Sequence, residues 1–278
     1  MLYDTHVHLI DRQRLNYPWL EAVPALNRDA SYDDYLRNAR QLGITQSLHM
    51  EVNVADNDID NESLFIKELM DRDDSQLLGT ISGCLPEQDG FPAFLERQQK
   101  RPWIKGFRRV LHVVDDEMSR SSLFRKHVNL LASTEYVFDL CARADQLPII
   151  VELVDACPNV QFVLDHCGVP DIKNREATGW SKSVSSLAER PNVAAKISGV
   201  IAYGDGLNWT LEDIRPFVEH TVKAFGWERV VWGSDSPVCT LGGSLASWVA
   251  ATRLLFESVS EEERAALYFK NAQRLWHT

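Results

Sequence analysis

The chain has 278 residues, 45% hydrophobic and 25% charged, with a net charge of -11 from 29 basic and 40 acidic side chains. An acidic chain without a basic block argues against nucleic-acid binding, since phosphate contacts need lysine and arginine. No apolar run reaches the roughly 18–20 residues that span a bilayer, and no basic-then-apolar leader opens the chain, so a cytoplasmic setting away from membranes is expected.

Short β-rich runs alternate with amphipathic stretches, which predicts repeated βα units and a parallel sheet. The first strand is read at Leu2–His8, followed by a long polar loop, Leu9–Arg28, that holds Tyr17-Pro18-Trp19-Leu20. A helix follows over Tyr35–Gln41, capped by Ser31 or Asp33 and stopped at Gly43. Further strands are expected at Thr45–Glu51, Leu77–Ser82, Ile104–Val110, Tyr136–Leu140, Val160–Leu164, Val193–Ile197 and Arg229–Trp232. Helices between them are expected at Glu62–Asp71, Phe91–Gln99, Leu123–Ser133, Leu147–Ala156, Trp180–Glu189 and Leu211–Phe225. The remainder, Leu245–Trp276, reads as helical and is expected on the outside. Eight strands, each trailed by a helix, predict a closed (β/α)8 barrel as one domain over residues 1–278. The competing doubly wound sheet would carry a glycine-rich turn after the first strand, where this chain has His6-Val7-His8. The five cysteines (Cys84, Cys141, Cys157, Cys167, Cys239) are widely spaced without a Cys-x-x-Cys pair, and reduced, buried thiols are expected.

A barrel of this kind carries its chemistry at the C-terminal ends of its strands. His6 and His8 stand there on strand one, two apart and so on one face. Strand two ends at His49, Met50 and Glu51. Strand four carries Lys105, Arg108, Arg109 and then His112; strand five ends at Asp139, strand six at Asp165-His166, and strand eight at Asp235. Three imidazoles and a carboxylate (His6, His8, His166, Asp235) suit a borderline divalent ion such as zinc, with a position left for water. Asp235 instead, or also, takes the proton from an attacking water. Glu51 is a candidate fifth ligand or hydrogen-bond partner. The plainer readings are that Asp4 and Asp165 bond backbone amides, that His49 is a core or surface histidine, and that His127, His220 and His277 are incidental. Lys105 and Arg109 share one face of their strand and Arg108 the other, so only one face can line the barrel.

Several segments together resemble the amidohydrolase-2 family, in its lactonase-like branch of sugar-lactone hydrolases and 2-pyrone-4,6-dicarboxylate lactonase. They are Asp4-x-His6-x-His8, Tyr17-Pro18-Trp19-Leu20, Gly106-Phe107-Arg108, Phe138-Asp139-Leu140, Val163 to Gly168, Lys196-Ile197-Ser198-Gly199, Trp232 to Pro237, and Asn271 to Leu275. The resemblance implies a distorted TIM barrel that opens a lactone ring, with His6, His8, His166 and Asp235 at its centre. It implies at most one divalent metal, zinc before others, because no lysine stands where a carbamylated bridging ligand would be evident; branch members differ in metal use, and some work without metal. The substrate expected is a small sugar aldonolactone or a carboxylated lactone. Arg108, His112, Trp19, Lys105, Asp139 and Tyr203 are expected to bind it. The rival enzyme reading is a metal-dependent decarboxylase of the same superfamily, and the other rival is a binding protein that has kept the fold. Homo-oligomerisation is left open.

Overall fold

Aliphatic strands buried on both faces need parallel neighbours beside them and helices over them. The structure, a computed structural model describing residues 1–278, meets that need with eight parallel strands in chain order. They are β1 (Leu2–Val7), β2 (Ile44–Met50), β3 (Leu77–Gly83), β4 (Ile104–Val110), β5 (Val137–Cys141), β6 (Gln161–Leu164), β7 (Val193–Ser198) and β8 (Val230–Gly233). The intervening helices are α1 (Tyr32–Gln41), α2 (Ile59–Met70), α3 (Phe91–Gln98), α4 (Ser122–Val128), α5 (Leu147–Ala156), α6 (Thr178–Ala188) and α7 (Leu211–Phe225). After β8 come α8 (Leu245–Leu255), α9 (Glu261–Ala265) and α10 (Asn271–Trp276). The expected (β/α)8 barrel is present. All five cysteines are free and buried.

Boundaries moved where a cap was misjudged. Helix α1 starts at Tyr32, because Ser31 accepts the Asp34 amide and leaves Asp33 and Asp34 to face the positive helix end. Within the Leu9–Arg28 loop, Pro18–Ala22 forms a short 3-10 turn, and an Ile10–Ala30 bridge ties the loop's ends together.

The barrel closes along a seam between β1 and β8 that is built mostly past the end of β8. The Asp235 amide donates to His6 O (2.8 Å), and the His8 amide donates to Ser236 O (2.8 Å). Buried Asp4 accepts from the amides of Ser234 (2.7 Å) and His6 (3.1 Å) and from the Tyr35 hydroxyl (2.7 Å). The seam therefore sets His6, His8 and Asp235 side by side.

The C-terminal segment departs from expectation. Helix α8 lies outside the barrel, with the Trp248 indole donating to Gly233 O. Helix α10 instead turns under the barrel. Ala272 and Trp276 pack with Tyr3, Val137, Val163, Ala194 and Val231, which mostly lie near the strands' starts. The apolar ends of eight strands leave a mouth that needs a cover, and an amphipathic terminus supplies it.

Candidate active site

Three ligand-capable atoms converge at the C-terminal end of the seam. His6 Nε2 lies 3.2 Å from His8 Nε2, and Asp235 Oδ1 lies 3.6 Å from the first and 3.3 Å from the second. The His8 Nδ1–Met50 O hydrogen bond (3.0 Å) assigns the proton to Nδ1 and turns the Nε2 lone pair toward the other two. Asp235 Oδ2 is buried without a hydrogen-bond partner. Burial holds His6 well below the ordinary histidine value against the pull of Asp165, so the ring is neutral at pH 7.

His166 stands beside this trio. It sits in a run of left-handed backbone after β6, with φ of 53° at His166, 54° at Cys167, 74° at Gly168 and 47° at Val169. Such conformations cost about 1–3 kcal/mol each at non-glycine residues and persist where surrounding structure enforces them. Here the Trp180 indole clasps Cys167 O (2.8 Å), and His166 Nδ1 meets Ser198 Oγ (2.9 Å). All four expected residues come together, His166 Nδ1 lying 3.7 Å from Asp235 Oδ2, but their ligand atoms fall in two overlapping groups. His6, His8 and Asp235 form one group, while His166 joins His6 and Asp165 in another. Burial lowers the His166 pKa despite Asp235 and Asp165, leaving it neutral.

Beneath lies a buried ionic layer. Lys196 Nζ contacts Asp139 (2.6 Å) and Asp165 (3.0 Å). Burial opposes the ammonium's charge, yet Asp139 and then Asp165 raise its pKa above the ordinary value. Burial likewise opposes charge on Asp165, but the Lys196 ammonium outweighs it and keeps the carboxylate ionised. Arg108 donates from Nε to Glu51 Oε1 (2.6 Å), from Nη2 to Glu51 O (2.7 Å) and from Nη1 to Asp165 Oδ2 (3.3 Å).

Above the trio opens a cavity of about 470 Å³, within the range of small-molecule sites. His8, His166, Asp235, Arg108, His112, Trp19 and Tyr203 line it, as expected. Four expected residues do not, one of them His6, which is fully buried beneath the floor. Lys105 is on the face of β4 opposite Arg108 and packs over Gly79, because strand parity sends it outward. Asp139 is fully buried and spends its carboxylate on Lys196. Glu51 has both oxygens hydrogen-bonded, one by Arg108 and one by the Asn53 amide (2.6 Å), and stands outside both groups of converging ligand atoms. Arg108 borders the cavity, but its donors are committed below. His49 is a core histidine, bonded to Thr80 (2.8 Å).

Residues 3–278 match the amidohydrolase family. The chain belongs to that family. An L-fucono-1,5-lactonase from Burkholderia multivorans is 28% identical over 98% of this chain and 95% of its own length. An L-rhamnono-gamma-lactonase from Scheffersomyces stipitis is 23% identical over 63% of this chain and 59% of its own. An amidohydrolase from Burkholderia multivorans, crystallised with bound zinc, is 25% identical, covers 100% of this chain and 99% of its own, and superposes with a TM-score of 0.90.

The donor set of this amidohydrolase fits a divalent ion. Two imidazole nitrogens and a carboxylate oxygen face one another within 3.6 Å, an arrangement that a cation at their centre would satisfy. Tetrahedral zinc with bonds of about 2.0–2.1 Å separates its ligands by about 3.3–3.4 Å, close to the 3.2, 3.3 and 3.6 Å found. Sequence reasoning missed Lys196 as a structural centre of the site. Its signal was a lone lysine within the otherwise uncharged buried strand Val193–Ser198, which needs carboxylate partners.

Proposed function

We propose that this chain hydrolyses a lactone to its hydroxy acid, with one divalent ion, zinc before others, at His6, His8 and Asp235. The observation that carries the metal is the close approach of His6 Nε2, His8 Nε2 and Asp235 Oδ1 over an unpartnered Asp235 Oδ2. The names of the two lactonase relatives support the ring-opening reaction, and the zinc-bound structure supports the choice of ion. An ion held by His6, His8 and Asp235 would supply Lewis acidity and lower the pKa of a nearby water.

Asp235 Oδ2 accepts a proton from an attacking water as the water oxygen bonds to the lactone carbonyl carbon. The ring carbon–oxygen bond then breaks, and Asp235 returns the proton to the departing alkoxide, leaving a carboxyl and a hydroxyl on one product. Neutral His166, its Nδ1 engaged by Ser198, hydrogen-bonds the carbonyl oxygen or the ring oxygen through Nε2. Lys196, Asp139 and Asp165 hold His6 in place from below.

The test pairs metal analysis of the purified protein with acid release from L-fucono-1,5-lactone before and after chelation. About one zinc per chain, with activity lost on chelation and restored by added zinc, is expected. Undiminished turnover in a metal-free protein would remove the ion from the reaction.

A further inference from the structure

A polyhydroxylated sugar lactone needs a hydrogen-bond partner for each hydroxyl it buries, because an unpartnered hydroxyl loses its water without replacement. A dicarboxylate needs free cations. The cavity offers little of either. Of its 21 lining residues, 13 are hydrophobic. Leu26 and Val23 form one side, from the loop after β1. Val110 and Val113 form another, and Val238 and Leu241 a third.

The polar groups at its edge are largely spoken for. The Trp19 indole donates to Val52 O (2.7 Å). Arg108 is engaged by Glu51 and Asp165, and Arg143 by Asp145 and His112 O. Asn53, Tyr203 and His112, kept neutral by burial, are the uncharged polar side chains left for a substrate hydroxyl. His8, His166 and Asp235 thus form a polar floor, and the walls above it are mostly apolar.

We infer that the preferred substrate is a neutral lactone bearing an apolar substituent, such as an alkyl or aryl group, with its ring on the polar floor and that substituent between Leu26, Val113 and Leu241. This rests on the lactonase reading and sharpens it. The overall reaction is unchanged: water adds to the carbonyl carbon, the ring ester bond breaks, and the proton ends on the alkoxide. The substituent takes no part in it. Its burial offsets the fixed cost of ordering the ring.

The experiment compares kcat/KM for δ-decalactone, L-fucono-1,5-lactone and 2-pyrone-4,6-dicarboxylate on the zinc-supplemented protein. The alkyl lactone should lead by about tenfold or more, the size of effect a hydrophobic pocket gives per methylene. Val113 is 55% exposed, so Val113→Asp should fold normally, and it should cut that lead severalfold. A lead for the fuconolactone or the dicarboxylate would overturn the inference and leave the lactonase reading standing. So would an alkyl preference that Val113→Asp leaves intact, because the wall would then not be its source. If folded, metal-loaded protein opens none of the three, the lactonase reading fails and the inference with it.

Discussion

Asp235 stands in a left-handed conformation (φ 57°) with one carboxylate oxygen in the histidine trio and the other free. Asp235→Asn keeps the shape and removes the base. Turnover of the best lactone should fall by about 10²–10⁴-fold with the circular dichroism spectrum unchanged; full activity would assign the proton transfer elsewhere. His49 makes a different prediction. Burial, reinforced by His8 and Arg108, holds its pKa well below the ordinary histidine value, so the folded chain keeps it neutral. Below about pH 6.5 the unfolded chain binds a proton that the folded one refuses. Its contribution to stability is therefore complete above that pH and is lost as pH falls, at up to about 1.4 kcal/mol per pH unit. Urea denaturation at pH 6.5 and 5.5 should show a steeper loss for the natural chain than for His49→Gln, and equal losses would exclude this histidine. That His49 belongs to the core was legible as the plainer of two readings. That Asp139 and Glu51 serve Lys196 and Arg108 was not, because such pairings join residues 57 positions apart.

Strand ends were legible and side-chain directions were only partly so. Period two identified Lys105 and Arg108 as opposite-facing, but which face turned inward depended on the register of closure. The left-handed run at His166 carried no sequence signal beyond Gly168, since its other members are residues that ordinarily avoid that region. The turn after β7 is better marked. Gly199 has φ 59°, and a Cβ there would collide with the Asp235 carboxylate. Gly199→Ala should therefore displace the base and lower kcat by about 10²-fold, the usual cost of a small misplacement. Thermal unfolding should show only modest loss. If kcat survives, the carboxylate tolerates that shift.

The βα alternation made the barrel legible from end to end, whereas the position of α10 depended on packing that no local pattern encodes. Trp276 is 1% exposed beneath the barrel, and Lys196 Nζ lies 5.6 Å above its ring. Trp276→Ala should cost about 3–5 kcal/mol, measured by denaturation, and a loss under 1 kcal/mol would mean that α10 is a dispensable cover. The seam between β1 and β8 has a consequence in time. Its hydrogen bonds join residues 227 and 230 positions apart, so the histidine pair leaves the ribosome well over two hundred residues ahead of Asp235. Throughout that interval the nascent chain holds two loose imidazoles with no carboxylate beside them. Assembly of the trio and ring closure then become one late event, and a chain terminated before β8 is released with the trio incomplete.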